Sequence, residues 1–175
     1  MIECKSELSV DKLLRELRSE KFNKMALERS TEEVFSSDKE GSTILLLRAL
    51  FKNYNQSVKI LGTSLCDKII NDEECLKRMY MVETPVKIIL THSSAPKNLG
   101  NYLNNGQMIH GVNVKEMKSY VIQNTEKKLE TDFLVLDDLA YFVELTDSKL
   151  ARCSFNNIEG ALNLSKRFDE IYNNY

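Results

Sequence analysis

The sequence has few of the residues that hold metal centres or disulfide frameworks together. It contains two histidines, His92 and His110, and four cysteines that are scattered without a Cys-x-x-Cys pair. Structural zinc sites need closely spaced pairs of ligands, and neither histidine has a cysteine near it in the sequence. The sequence therefore predicts reduced thiols, no metal site and no cofactor.

Long apolar runs and an excess of charge of one sign are also missing. No apolar stretch approaches the roughly 20 residues that span a bilayer, and the first residues lack the apolar core of a secretion signal. With 24 basic and 26 acidic side chains the formal net charge is −2, which disfavours nucleic-acid binding through bulk charge. We therefore expect a cytoplasmic protein that does not act at a membrane and for which nucleic acid is not the favoured partner.

The composition that is present suits an ordinary globular protein. The chain has 175 residues, of which 42% are hydrophobic and 29% charged, and a chain of this length can bury one core without metal or disulfides. Apolar residues at helical spacing predict two helices, the first through Leu14 and Leu17 and the second over 43–55. The stretch 30–42 between them is predicted to be a loop. Residues 1–57 are therefore expected to form an N-terminal helical segment that packs on the domain.

From residue 58 onwards, short apolar runs replace the helical spacing. The runs 58–63 and 86–91 suit buried strands with a helix between them, and parallel strands joined in this way have a right-handed crossover. An acidic turn at 137–140 joins two further strands into a hairpin, and a terminal helix begins after Asn157. The pattern predicts an α/β fold, with residues 58–175 forming a mixed sheet flanked by helices. Together with the N-terminal segment this makes one compact single domain.

The C-terminal part of the chain carries a recognisable order of elements. A short apolar strand at 133–136 ends in Asp137, its hairpin partner follows at 141–143, and the Ser-Phe-Asn-Asn stretch 154–157 opens the last helix. This order resembles one repeat of the phospholipase D superfamily, most clearly over 132–172. The resemblance implies a phospholipase D-like fold for residues 58–175.

The residues that carry catalysis in that family are replaced here. Active members have a histidine that attacks the phosphodiester, a lysine two residues later and an aspartate five residues after the lysine. With Asp137 matched to that aspartate, Glu130 stands at the histidine position and Asp132 at the lysine position. A carboxylate at 132 repels the phosphoryl group that a lysine would neutralise, and Glu130 lacks the proton-shuttling imidazole. The resemblance therefore implies a degenerate single-repeat member, a pseudoenzyme without catalytic residues.

An enzyme of another type is the second hypothesis. His92 follows a predicted strand, at the edge where α/β folds collect ligands. It could act as a general base beside Asp137 or Glu130 in a hydrolase or nuclease that cleaves phosphodiesters. The structural alternative is a histidine that ends a strand and caps the next helix. His110 is expected to be an exposed polar residue.

Two further stretches have both a binding and a structural interpretation. Asp137 and Asp138 offer the oxygen ligands that divalent cations prefer, but acidic residues also favour tight turns. The stretch 62–64, Gly-Thr-Ser after a strand, could hold an anion at a helix N-terminus, but it lacks the lysine and second glycine of a P-loop. We expect a structural role for both.

These observations lead to one predicted function and two alternatives. The favoured hypothesis is a non-catalytic protein-interaction or regulatory domain that binds a protein partner. The family resemblance also implies a homodimer through the apolar surface near the hairpin, and the N-terminal helices, whose leucines exceed what one packing face needs, offer a second surface. The alternatives are a phosphodiester-acting hydrolase or nuclease with an atypical His/carboxylate site, and a nucleic-acid-associated regulator.

Overall fold

The computed structural model describes residues 7–29, 32–36, 41–79, 81–82, 84, 86–91, 112–116, 131–145 and 150–174. The helices within these ranges are α1 (Glu7–Glu28), α2 (Ser42–Asn53), α3 (Thr63–Asn71), α4 (Glu73–Met79) and α5 (Ile158–Asn173). The strands are β1 (Glu33–Ser36), β2 (Val58–Leu61), β3 (Val86–Leu90), β4 (Val112–Glu116), β5 (Thr131–Leu136), β6 (Ala140–Leu145) and β7 (Leu150–Ser154).

The strands of the described ranges form one mixed sheet with the order β1-β7-β6-β5-β2-β3-β4. Strands β2, β3 and β4 are parallel to one another. Strand β5 pairs antiparallel with β2, and the antiparallel ladder continues through β6 and β7 to β1. The predicted α/β fold with a mixed sheet flanked by helices is confirmed.

Strand β1 corrects the prediction of a loop over 30–42. Its register with β7 runs from Glu33 opposite Cys153 to Ser36 opposite Leu150. Four residues carry too little apolar alternation to predict a strand on their own. The pairing with β7 is a tertiary contact that overrides the local preference.

The sheet is covered on both faces, so the hairpin β5–β6 lies in the interior. Because side chains alternate along a strand, Leu134 and Leu136 face the helices α2, α3 and α4, whereas Phe133 and Val135 face α5. All four side chains are buried. These four apolar side chains of the hairpin are thus used within the chain, and the homodimer that was expected to form there stays a prediction.

The buried side chains among the described ones of helix α1 lie in its C-terminal turns. Phe22, Met25 and Ala26 are buried in the core that also includes α2, whereas Leu14 and Leu17 are 43% and 53% exposed. The predicted division of the chain at residue 57 stays a prediction.

No described helix, α1 included, is long and apolar enough to cross a membrane.

Candidate functional site

One edge of the sheet collects several polar side chains. Strands β2 and β3 end at this edge, and β5 begins there, because β5 runs antiparallel to β2 with Leu61 opposite Phe133. The residues that follow β2 and β3 therefore lie close to the first residues of β5. We call this region the carboxyl edge; its residues are Gly62, Thr63, Thr91, Asp132 and Glu144.

The Asp132 carboxylate caps helix α3 from the neighbouring strand. The side chain is buried, and its Oδ2 accepts a hydrogen bond of 3.2 Å from the backbone N–H of Leu65, in the first turn of α3. The first N–H groups of a helix have no partner within the helix, and its N-terminus favours negative charge. Asp132 meets both requirements.

Gly62 provides the space for this contact. A Cβ on residue 62 would lie 2.0 Å from the Cγ of Asp132, and the φ angle of Gly62 is +121°. Both the close approach and the backbone conformation exclude other residues. The glycine before α3, which the sequence offered as part of an anion cradle, instead makes room for a carboxylate of the same chain.

Three further backbone N–H groups around this turn are bonded within the chain. The N–H of Gly62 donates to the carbonyl oxygen of Ile89 at 2.9 Å. Thr63 and Thr91 exchange hydrogen bonds, each backbone N–H donating to the other's Oγ1, at 3.3 Å and 3.1 Å. The N–H groups of Gly62 and Thr63 therefore serve the junction of β2, β3 and α3, which fits the structural role expected for the stretch 62–64.

A second buried carboxylate lies beside the first. Glu144 on β6 is directly opposite Asp132 on β5, and its side chain forms an ion pair with Lys68 of α3. Lys68 balances Glu144, while the start of α3 stabilises Asp132. The carboxyl edge is therefore acidic and internally paired.

Asp137 lies at the opposite end of β5 and clamps the loop between α2 and β2. Its Oδ1 accepts hydrogen bonds of 2.8 Å from the backbone N–H groups of Gln56 and Ser57, and its Oδ2 accepts one of 3.2 Å from Asn55. The backbone N–H of Asp137 donates in turn to the carbonyl oxygen of Ser57 at 3.0 Å. Five residues of strand separate it from Asp132, roughly 17 Å. The structure does not bring these two carboxylates together.

Asp138 faces a polar groove beside α5. Its Oδ1 lies 4.0 Å from the Nζ of Lys59, which donates to Asp169 at 2.8 Å and Ser165 at 2.5 Å. The groove encloses 410 Å³ and carries charges of both signs. Asp137 and Asp138 serve different contacts, and the described residues include no cluster of three or more His, Cys, Asp or Glu side chains that could hold a metal ion.

The Ser-Phe-Asn-Asn stretch has a structural role as well. Phe155 is buried and its carbonyl oxygen accepts a hydrogen bond from the hydroxyl of Tyr54. Asn157 caps α5 by accepting a bond of 2.9 Å from Gly160. The hydroxyl of Tyr141 donates to Glu32 at 2.6 Å, and burial, together with this carboxylate, raises the pKa of Tyr141 to about 12.

Three predicted site residues, His92, His110 and Glu130, lie outside the described residues. Glu144 of the carboxyl edge and its ion-pair partner Lys68 were not selected from the sequence. A signal for Glu144 was present, because pairing the strands on either side of the turn at 137–140 places it opposite Asp132. Nothing local pointed to Lys68, which lies 76 residues from Glu144.

The comparisons with known proteins found matches among solved structures. No family model and no curated protein matches the chain. Nuc from Salmonella typhimurium, a phospholipase D family member, matches 82% of this chain and 94% of its own with a TM-score of 0.55 and 15% identity. NucT from Helicobacter pylori matches 81% and 95% with a TM-score of 0.55 and 12% identity. The fold is phospholipase D-like.

A third match extends over almost the whole chain. TrmBL2, an archaeal chromatin protein described with a novel mode of DNA binding, matches 97% of this chain with a TM-score of 0.58 and 14% identity. The present chain spans 63% of the length of that structure. At identities this low, structural matches show the fold alone, and the two Nuc-type matches confirm the phospholipase D-like fold that the sequence resemblance implied.

Proposed function

We propose that this chain is a non-catalytic phospholipase D-like domain that works as a protein-interaction or regulatory module. The observation that carries the proposal is the contact of Asp132 with the start of α3. The sequence resemblance assigns position 132 to the family's catalytic lysine. A carboxylate that caps a helix takes the place of the cation that would hold a phosphoryl group.

The electrostatics of the carboxyl edge support this proposal. Phosphoryl transfer depends on positive groups that stabilise negative charge in the transition state. Here Asp132 and Glu144 contribute two buried carboxylates, and Lys68 is paired with Glu144. An approaching phosphodiester would meet net negative charge and would have to displace Asp132 from the N–H of Leu65.

A nucleic-acid-associated regulator is the second candidate, and one observation favours it. The match to TrmBL2 includes nearly the full length of this chain, whereas the matches to the two Nuc-type proteins cover about four fifths. The net charge of −2 argues against DNA binding by the chain itself. In this version of the proposal the domain regulates or assembles a partner that contacts nucleic acid.

A catalytic assay tests the favoured proposal against the hydrolase hypothesis. We expect no turnover of bis-p-nitrophenyl phosphate or single-stranded DNA by the wild-type chain, with or without Mg²⁺, Mn²⁺ or Zn²⁺. His92→Ala is the matched variant, because His92 is the proposed base of the alternative enzyme. Metal-dependent turnover that this substitution abolishes would overturn the non-catalytic proposal.

Retention on immobilised DNA tests the second candidate. A chain that binds DNA directly shows retention that falls steeply as salt increases, because phosphate contacts release counterions. We expect the isolated chain to pass through such a column even at low salt. Salt-sensitive retention would instead favour direct nucleic-acid binding over a protein partner.

A further inference from the structure

The polar groove beside α5 lies at the end of the sheet opposite to the carboxyl edge. It is bordered by Lys59 of β2, by Asp138 in the turn between β5 and β6, and by one side of α5. Its volume of 410 Å³ suits a small ligand or one side chain of a larger one. The lining carries two ammonium groups and three carboxylates. Because these charges nearly balance, the groove does not favour a ligand of large charge of either sign.

Lys59 has one more N–H group than its neighbours use. Its side chain is only 15% exposed, and its Nζ carries three N–H groups. Two of them donate to Ser165 and Asp169. The third has no acceptor among the described residues, since the Oδ1 of Asp138 is 4.0 Å away, too far for a hydrogen bond. A largely buried ammonium group therefore presents an unused donor beside the groove.

Asp138 supplies the matching unused acceptor. Its Oδ1 is buried and accepts no hydrogen bond among the described residues, although buried polar atoms normally have a partner. The side chain as a whole is 45% exposed, and a small rotation about its last torsion angle, which is soft for a carboxylate, opens this oxygen to the groove.

The backbone of Asp138 is strained without an evident benefit to the fold. Its φ angle is +52°, a conformation in which glycine would be less strained. Its half-exposed ion pair with Lys59 at 4.0 Å contributes little to stability. A strained residue whose side chain does little for the fold points to a separate role for that side chain.

We infer that the polar groove binds a primary carboxamide, whose carbonyl oxygen accepts from Lys59 and whose N–H group donates to Asp138. The oxygen and nitrogen of an amide are about 2.2 Å apart. Two hydrogen bonds of about 2.9 Å therefore span the 4.0 Å between Nζ and Oδ1 with only a slight outward lean. The amide is neutral, and it satisfies the unused donor and the unused acceptor together.

Other chemical groups fit this pair less well. A carboxylate would face the three carboxylates of the lining, and an ammonium group would lie beside that of Lys59. A single hydroxyl oxygen would have to make both hydrogen bonds at an angle of about 90° to each other, which is tighter than hydrogen-bond geometry favours. The carboxamide is the group whose two atoms match the spacing.

A carboxamide can reach the groove from two sources. One is a glutamine or asparagine side chain of a partner protein, and the other is a free small molecule that carries the same group, such as glutamine itself. The inference does not depend on the proposed function, because either source would bind the same donor and acceptor.

NMR titration of the ¹⁵N-labelled full chain tests the inference. We expect N-acetyl-glutamine methylamide to shift the backbone amides of Asp138, Leu139 and Ser165 with a dissociation constant of about 1 mM. The corresponding glutamate and lysine derivatives should bind at least about 10-fold more weakly, because each leaves a buried group unpaired or beside a like charge. Free L-glutamine distinguishes the sources: tighter binding than the blocked derivative supports a small molecule, and weaker binding supports a side chain of a partner.

Asp138→Gly separates binding from folding. The substitution removes the acceptor but relieves the positive φ angle, so affinity for N-acetyl-glutamine methylamide should fall at least about 10-fold while the melting temperature stays equal or rises. Arg29→Gly is the matched control, because Arg29 has the same φ of 52° and does not line the groove. It should keep the wild-type affinity.

Several results would overturn the inference. They are the absence of shifts up to about 20 mM of the glutamine derivative, equal affinity for the glutamate or lysine derivative, and unchanged affinity in Asp138→Gly. An Asp138→Gly protein that melts well below the wild type would also count against it, because the carboxylate would then serve the fold. None of these results bears on whether the domain is catalytic.

Discussion

The carboxylate of Asp132 occupies the space that any side chain on residue 62 would need. A Cβ added to Gly62 would come within 2.0 Å of the Asp132 Cγ and within 2.4 Å of both carboxylate oxygens. These two residues are 70 positions apart in the sequence, yet each depends on the other. The glycine lets the carboxylate reach Leu65, and the carboxylate keeps residue 62 a glycine.

Gly62→Ala should therefore destabilise the protein strongly, by about 3 kcal/mol or more, because it adds a steric clash to a positive φ angle. Gly41→Ala is the matched control. Gly41 also has a positive φ, +71°, but an added Cβ would meet nothing within 4 Å, so we expect a loss of only about 1 kcal/mol. Urea unfolding followed by circular dichroism measures both. Equal losses in the two variants would contradict the proposed contact.

Restoring the family's lysine at position 132 should weaken the fold without creating activity. Asp132→Lys places a buried ammonium at the start of α3, where the helix favours negative charge, and we expect a loss of about 3 kcal/mol or more. Asp132→Asn keeps an oxygen that can accept from Leu65, so it should cost about 1 kcal/mol. The free energy of unfolding decides the first point and a phosphodiesterase assay the second. A stable and active Asp132→Lys protein would contradict this expectation, because it would show that the family's catalytic site can be restored by one substitution.

Asp137 should matter for stability far more than its neighbour. Asp137 and Asp138 both have positive φ angles, 55° and 52°, so alanine carries a similar backbone cost at each. Asp137→Ala also removes the acceptor of three backbone N–H groups, for which we expect a further loss of about 2–3 kcal/mol. The difference between the two alanine variants in urea unfolding isolates this contribution. If the two variants unfold at the same urea concentration, the clamp does not stabilise the fold.

The elements that the sequence predicted are those whose signal is local. The apolar runs of β2 and β3 and the turn between β5 and β6 lie within a few neighbouring residues, and all of them are present in the structure. The helix predicted over 43–55 corresponds to Ser42–Asn53. These segments carry both the spacing and the turn residues that specify them.

The roles of the acidic residues could not be predicted in the same way. Asp132 accepts from a residue 67 positions earlier, and Asp137 from residues about 80 positions earlier. Nothing within a local window distinguishes a helix-capping carboxylate from a ligand-binding one, because both need the same chemical group. The family alignment located the relevant positions, but only the packing of β5 against β2 and α3 shows what the carboxylates do there.

The ion pair between Arg48 and Asp72 should make stability depend on acid pH. Burial alone would raise the pKa of Asp72, but hydrogen bonds from Arg48 and from the backbone N–H of Cys75 outweigh it and lower the pKa below its ordinary 3.8. A carboxyl group whose pKa is lower in the folded state stabilises the fold above its unfolded pKa, and this contribution is lost as pH falls through the folded value. The wild type should therefore lose stability below about pH 4.

Asp72→Asn isolates that contribution. The variant should be less stable than the wild type at about pH 6, and the difference should shrink towards about pH 2 as the wild-type carboxyl group is protonated. Glu74→Gln is the control, since Glu74 lies 3.5 Å from Arg48 but its side chain is 49% exposed, and such a pair contributes little. Melting temperatures across this pH range supply the measurement. A constant difference between wild type and Asp72→Asn at all pH values would contradict the shifted pKa.

The buried cysteines should be unreactive in the native protein. Cys66, Cys75 and Cys153 are buried free thiols, and burial, reinforced by nearby carboxylates, raises the pKa of Cys66 and of Cys153 to about 12. The pKa of Cys75 is raised as well, for the same reasons. Thiolate is the reactive form, so a Cys4→Ser protein should react with no thiol reagent at about pH 8 until it unfolds, and then with three equivalents. Titration with Ellman's reagent, with and without denaturant, measures both values. Rapid labelling of the folded protein would mean that the core opens far more readily than its packing implies.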